Sequence, residues 1–239
     1  MKNVKKIKGD ASYRQFFRKK IKNSSSIIVL AKKEKHKNLL VYDCINKILN
    51  KNKILAPNLY YQSYKRNYIE IQDFGNNTVL KILNKKKNKH FFYFKKIIKT
   101  LNQIQMIKNR RIKSFNKKNY LIPKYKKKTL FDEACLFSNW YTKKLPKSQR
   151  YNFIKKFKKI VKKLISGLEL KNNTFVHRDF HISNLMYVDN KIAVIDSQDA
   201  LIGNKAYDLA SLVDDVRLKT STAFKDKIYK FYINRQRKL

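Results

Sequence analysis

Apolar positions change their spacing several times along the chain, and each change marks an element. Tyr13, Phe16 and Phe17 give a first apolar segment, Asn23-Ser24-Ser25-Ser26 a polar turn and Ile27-Ile28-Val29-Leu30 a return strand. Residues 7–31 are therefore expected to form a small β-unit. Over 38–50 the apolar positions recur at helical distances (Leu40 or Val41, Cys44 or Ile45, Ile48), predicting a helix packed on that sheet. Ala56-Pro57 ends it, since the residue before proline is pushed out of helical geometry. Leu59-Tyr60-Tyr61 and Tyr68–Ile71 read as two more strands. Helical spacing returns after Thr78, with Phe91, Phe94, Ile98 and Leu101 on one face beyond a lysine run at 85–89 expected to be a solvated loop. Thr129 is expected to cap a helix carrying Asp132 and Glu133 in its first turn and Leu136, Phe137, Trp140 and Tyr141 on its apolar face. Phe153, Phe157, Ile160, Leu164 and Leu168 make another seam with lysines on the other faces, a pattern shared with membrane-surface helices but expected here, directly before the stretch from Thr174 to Arg217, to be a core helix.

From Thr174 to Arg217 the pattern is shorter and denser in polar chemistry. Phe175-Val176 runs into His177-Arg178-Asp179; Leu185–Val188 and Ile192–Ile195 read as strands joined by a turn at Asp189-Asn190; Tyr207-Asp208-Leu209 begins a helix. A short helix is expected around Phe224 to Ile233, followed by a basic tail.

Composition changes this picture in one respect. The formal net charge is +42, which suggests a nucleic-acid or anionic partner. Only ten of the 58 basic residues are Arg, however, and they are spread through a chain also rich in Asn, Ile, Tyr and Phe and poor in Gly and Pro. Arg, with its bidentate fork, is what nucleic-acid recognition favours, so a compositional bias accounts for the lysines better and a nucleic-acid partner is not expected. The N-terminus has no apolar run after its basic residues, and no stretch reaches membrane-spanning length, so no membrane partner and a cytoplasmic location are expected. Cys44 and Cys135 stand alone and are expected to be buried small hydrophobes.

The chemistry centres on Asp179, Asn184 and Asp196. Hairpin strands would bring these loop positions together, and two carboxylates with an amide suit phosphoryl transfer, where a protein orients a hydroxyl and holds Mg2+ through hard oxygens. Zinc is disfavoured: His177 and His181 are four apart, but Arg178 stands where a catalytic Glu would be and the flanks read as strands. With Gly only at 9, 75, 167 and 203, neither a Walker loop nor a Gly-x-Gly-x-x-Gly turn exists.

His177-x-Asp179-x-x-x-x-Asn184 followed by Asp196 resembles the aminoglycoside phosphotransferase and choline kinase-like family. The fuller text, His-Arg-Asp-Phe-His-x-x-Asn-Leu-Met, Ile-Asp-x-Gln-Asp-Ala-x-x-Gly and Tyr-Asp-Leu-x-Ser-Leu, looks most like its bacterial anomeric kinases of N-acetylmuramate and N-acetylglucosamine. The resemblance implies an α+β, two-lobed protein-kinase-like fold, with a small antiparallel β N-lobe over 1–74 and a mostly helical C-lobe over 75–239. It implies ATP and Mg2+, with Asp179 as base and Asn184 and Asp196 as metal ligands. His177 would be structural and Asp208 would brace the catalytic loop. Gly9, Asp10, Ala11, Ser12 and Arg14 would lie over the nucleotide phosphates, and Gln72, Asp73 and Phe74 would form the adenine hinge. Asp43 would pair with a phosphate-binding cation, unless it is a solvated helix-face carboxylate. That cation falls near Lys32 and Lys33 and is assigned to neither. Glu133, Trp140, Gln198 and Asp199 become acceptor candidates, although a Trp on an apolar stripe is more often core.

Ser197 departs from the Phe common in these kinases, a loss of apolar anchorage expected to loosen Asp196. The acceptor implied is an amino sugar. The alternatives are a kinase for choline, homoserine or an aminoglycoside, the cationic ones drawn by an acidic patch of Asp132, Glu133, Asp199, Asp214 and Asp215, or a degraded kinase fold acting as a basic nucleic-acid-binding module.

Overall fold

Strands β1 (Val4–Ile7), β2 (Gln15–Ile21), β3 (Ser24–Leu30), β4 (Leu59–Ser63) and β5 (Tyr68–Gln72) form an antiparallel sheet in the order β1-β2-β3-β5-β4. The structure, a computed structural model, describes residues 4–7, 14–22, 24–31, 37–168 and 171–237. Gly9, Asp10, Ala11 and Ser12, together with Tyr13, Asn23, Lys32 and Lys33, lie outside the described residues.

Val29, Ile69 and Ile71 of this sheet pack on Leu39 and Tyr42 of α1 (Lys37–Lys51). The same helix turns Cys44, Ile45, Ile48 and Leu49 into the main core, so its several apolar faces join the sheet to everything that follows. Beyond β5 the chain enters α2 (Val79–Lys85), whose N-cap Thr78 accepts a hydrogen bond from the Lys81 N–H at 3.3 Å. The central helix, α3 (His90–Gln105), buries Tyr93, Phe94, Ile97, Ile98, Leu101 and Ile104. This face packs in one core with the hairpin β9 (Leu185–Val188) and β10 (Lys191–Val194), with α6 (Ala206–Val213) and with α7 (Thr222–Gln236). Each fully buried Ile or Leu there contributes about 1.5–3 kcal/mol.

Short ladders complete the chain: β6 (Arg111–Lys113) with β7 (Asn119–Leu121), and β8 (Thr174–Val176), the strand expected at Phe175-Val176, with β11 (Leu201–Gly203); the apolar spacing did not mark β6, β7 or β11. Three residues are too few to show a period.

Several expectations need correction. The helix holding Thr129, α4 (Lys127–Tyr141), begins three residues earlier than a Thr129 cap would place it, behind Lys126 and with no side-chain cap, where the extended chain at Lys124 bridges Ile202 and turns straight into helix. Asp132 and Glu133 consequently lie beyond the first turn. Leu136, Phe137, Trp140 and Tyr141 are exposed; Cys135 and Ser138 face inward instead. The expected core helix, α5 (Lys147–Ser166), buries only Val161, and Ile160, Leu164 and Leu168 face solvent. α4 and α5 lean on each other, so the apolar stripe of each is only partly covered. The lysine run is exposed as expected at Lys85, Lys86 and Lys89, but it belongs to the last residue of α2 and a short helical turn at Lys87–Lys89. Both cysteines are buried, and burial pushes the Cys44 thiol up to about 12.

Candidate active site

The hairpin fixes the site. β9 and β10 pair Val188 with Lys191 and Leu185 with Val194. Asp189 and Asn190 between them take φ 44° and 65°, the left-handed pair that a two-residue turn needs to match strand twist. Asn184 and Asp196 flank its open end, where the Ile195 N–H donates to the Asn184 carbonyl at 3.0 Å. The Asn184 side chain then reaches back: Nδ2 donates to the Asp179 carbonyl at 3.2 Å and lies 3.2 Å from His181 Nε2. Asp179, Asn184 and Asp196 are thereby brought to one place.

Two non-glycine residues here hold left-handed backbone, Arg178 at φ 73° and Asp196 at φ 63°. Such a conformation costs about 1–2 kcal/mol and gathers at functional sites, where surrounding contacts enforce it. The contacts at Arg178 are visible. Asp208, fully buried on α6, accepts the His177 N–H at 2.7 Å and the Arg178 N–H at 3.0 Å. The Arg178 guanidinium pairs with Glu133 and lies over the Tyr125 ring, and the Tyr125 hydroxyl donates to the other Glu133 oxygen. Asp215 holds the next stretch by accepting the Ile182 N–H at 3.2 Å while pairing with Arg217.

Electrostatics follow from burial. Burial pushes the Asp179 carboxyl up to about 6, the negative charges of Asp196 and Asp199 add to the rise, and Arg178 and Arg14 offset part of it. Asp208 is pushed up to about 7 by complete burial, against the two N–H groups it accepts, with the Asp179 charge raising it further. The His177 ring is wholly buried, which lowers its pKa to about 3 and keeps it neutral. It stands edge-on to Phe180, with the Ile195 backbone beside the ring. The His177 backbone N–H ties the residue to Asp208.

Arg14, on the approach to β2, places Nη2 3.0 Å from Asp196 Oδ1, an ion pair without hydrogen-bond alignment. The segment expected to form the adenine hinge is held by Arg18, a residue with no local sequence signal. Arg18 on β2 donates to both Asp73 oxygens at 2.5 and 2.9 Å, to Asn76 Oδ1 at 2.5 Å and to the Gly75 carbonyl at 2.9 Å. Burial alone would raise Asp73, but hydrogen bonds from Arg18, Ser25 and the Gly75 N–H hold it below its ordinary value. Gln72 is the last paired residue of β5, and its side chain accepts from Asn58 at 3.0 Å. Asp73 and Phe74 lie beyond the ladder. Arg18→Ala should cost about 1–3 kcal/mol, since the Asp73 carboxylate loses its charged partner, measurable as a lower urea midpoint at unchanged slope.

Ser197 does not loosen the Asp196 segment. Its side chain is fully buried and its hydroxyl donates to Asn46 Oδ1 at 2.6 Å, while Asn46 Nδ2 donates to the Pro57 carbonyl at 3.1 Å. A polar tie to α1 stands where an apolar anchor was expected. Tyr42, one turn before Asn46, is buried, which raises its hydroxyl pKa; the Asp196 charge adds to the rise, and Arg14 and the Asn46 side chain offset part of it. Ser197→Ala should cost about 1–3 kcal/mol by stranding Asn46 Oδ1, again read by urea unfolding. Asp43 is likewise no solvated carboxylate: it is buried, pairs with Lys47 at 2.7 Å and accepts the Phe115 N–H at 2.9 Å.

Among the acceptor candidates, Glu133 has both oxygens engaged, Gln198 is buried with its Oε1 unpartnered among the described residues, and Asp199 is exposed. Trp140 is exposed two turns beyond Glu133, with Lys143 Nζ 3.4 Å above its ring. Four of the five acids of the expected patch are ion-paired, Asp132 with Lys128, Glu133 with Arg178, Asp214 with Lys225 and Asp215 with Arg217, while the Asp199 side chain accepts from Gln198.

The donor set fits Mg2+ only as a partial shell. Among the described residues no group of three His, Cys, Asp or Glu could hold a metal. The Asn184 amide nitrogen is spent on Asp179, and Asp196 Oδ1, ion-paired with Arg14, is buried without a hydrogen bond among the described residues. One amide oxygen and one carboxylate suit a small hard cation that keeps waters and takes phosphate oxygens from its nucleotide.

Residues 94–237 match the phosphotransferase enzyme family, and the chain belongs to that family. It is 24% identical over 218 residues to the N-acetylmuramate/N-acetylglucosamine kinase of Neisseria meningitidis, covering 90% of this chain and 62% of the relative. The kinase of the same name from Pseudomonas putida is 26% identical, covering 86% of this chain and 58% of the relative. The chain thus spans about three fifths of the length of these relatives. In fold it is similar to the choline kinase LicA from Streptococcus pneumoniae, with TM-score 0.66 and 14% identity over 96% of this chain and 74% of that one. A gentamicin complex of an aminoglycoside phosphotransferase gives TM-score 0.67 at 16% identity, over 96% and 76%. The two-lobed kinase-like α+β fold is that of these structures.

Proposed function

We propose that this chain is an ATP-dependent small-molecule kinase, that its acceptor is the anomeric hydroxyl of an amino sugar, and that it works in the cytoplasm. The observation that carries the reading is the half-buried Asp179, its carboxyl raised by burial and by Asp196, with its carbonyl tied to Asn184. The names of the two amino-sugar kinase relatives support the choice of acceptor.

In the reaction, Asp179 orients the acceptor hydroxyl and takes its proton as the oxygen attacks the γ-phosphorus. The bond from that phosphorus to the β–γ bridging oxygen breaks, and ADP leaves with the bond's electrons. Asn184 and Asp196 would hold Mg2+, whose contribution is to neutralise phosphate charge. Arg14 adds a cation beside Asp196, and Gly9 to Ser12 would cover the phosphates. Gln72 to Phe74 would present backbone groups to adenine on a hinge stiffened by Arg18. Residues 1–74 would be the nucleotide-covering lobe and 75–239 the lobe carrying the catalytic loop. Asp208 braces that loop, His177 packs inside it, and Glu133, Gln198, Asp199 and Trp140 remain acceptor-side positions.

The test is direct. Purified protein with ATP and Mg2+ should convert N-acetylmuramate or N-acetylglucosamine to its 1-phosphate, detected by mass and by coupled ADP release. Turnover of choline, homoserine or an aminoglycoside alone would keep the kinase and move the acceptor. No turnover, with RNA binding of steep salt dependence, would replace the enzyme by a basic binding module.

A further inference from the structure

One large feature lies outside the site above except for Trp140, which is also an acceptor-side candidate. Half of the large hydrophobic side chains that stand exposed among the described residues fall between 136 and 168, on the α4–α5 hairpin. Leu136, Trp140, Ile160 and Leu164 are each more than half exposed. On the same two helices Phe137 stacks on Tyr141 and touches Phe157, which stacks on Phe153, so a continuous aromatic strip joins them. A contiguous exposed apolar surface marks a place of interaction.

Charge selects the occupant. From Thr142 to Leu168 the sequence has ten lysines and arginines and no acidic residue, and the seven lysines of α5, at 147, 155, 156, 158, 159, 162 and 163, are all exposed. A second copy would bring two such faces together against like charge. Nucleic acid would use the lysines but gain little from Ile160 or Leu164. The boundary of an anionic bilayer uses both: aliphatic and aromatic side chains enter at headgroup depth while lysines meet lipid phosphates. We propose that the α4–α5 face is a peripheral docking surface for an anionic lipid bilayer. No helix among the described residues is long and apolar enough to cross a membrane, so the contact is with one leaflet.

Trp140 is the only tryptophan in the chain, which makes the test specific. The full chain is mixed with vesicles of equal parts phosphatidylglycerol and phosphatidylcholine, or of phosphatidylcholine alone, at physiological salt. The expected result is sedimentation with the anionic vesicles only, a blue shift of Trp140 emission, and quenching by brominated acyl chains. The double variant I160D/L164D, altered at exposed positions, should keep its fold by circular dichroism and partition about tenfold or more weakly. Co-sedimentation without shift or quenching would reduce the effect to lysine adsorption and overturn the proposal, as would equal partitioning of the variant. A Trp140 shift produced by RNA, by an amino sugar or by self-association, with none from vesicles, would assign the face to that occupant instead.

Discussion

Asp179→Asn should lower turnover by roughly 100- to 10,000-fold, because an amide cannot accept the proton of the attacking hydroxyl, while nucleotide binding should change by no more than about twofold. Asparagine preserves the shape and leaves the carbonyl that Asn184 holds untouched, so geometry is not the cause of the loss. The wild-type protein should also show an acid limb. Burial and the neighbouring carboxylates raise Asp179 to about 6, so below that pH the base carries a proton and kcat/KM falls. Steady-state rates across pH, with isothermal titration of nucleotide for both proteins, check the two parts together. Equal turnover in the variant, or a rate limb near that pH surviving the substitution, would remove Asp179 from the chemistry.

Much of this arrangement was legible in the sequence where local rules dominate. The hairpin around Asp189-Asn190 could be placed because a two-residue left-handed turn between short apolar runs has few alternatives. The spacing of Asp179, Asn184 and Asp196 then fixed which side chains would meet. Helices α4 and α5 misled for a physical reason: an apolar stripe reports that a face avoids water in some context, without naming the context. The long-range ties were invisible for a different reason. Asn46 and Ser197 are 151 positions apart, and Arg18 and Asp73 are 55 apart, so no periodicity connects them. One signal was available and went unread. In a chain with so few arginines among its basic residues, Arg14, Arg18, Arg178 and Arg217 each pair with a carboxylate in or beside the site. A compositional drift toward lysine spares arginine where its planar fork or its permanent charge is needed.

Asp208→Ala should produce the largest loss of stability, about 2–5 kcal/mol, because the His177 and Arg178 N–H groups are left without an acceptor in a fully buried position. Asp208→Asn should fall between, since its oxygen can keep one N–H while its own NH2 opposes the other. Turnover should drop in both, as the left-handed turn at Arg178 that sets Asp179 loses its restraint. The pH dependence separates this account from simple cavity formation. The native-state pKa of Asp208 is raised above the unfolded value, so the folded protein holds a proton that the unfolded chain has already released. Wild-type stability from this group is therefore greatest in acid, declines as pH rises toward about 7, and is level above it. Urea unfolding on either side of that pH should show the decline in the wild type and a smaller one in Asp208→Asn. Because the Asp179 charge is one cause of the raised value, Asp179→Asn should move the decline to lower pH; an unmoved decline would mean that the two carboxyls do not sense each other across the loop.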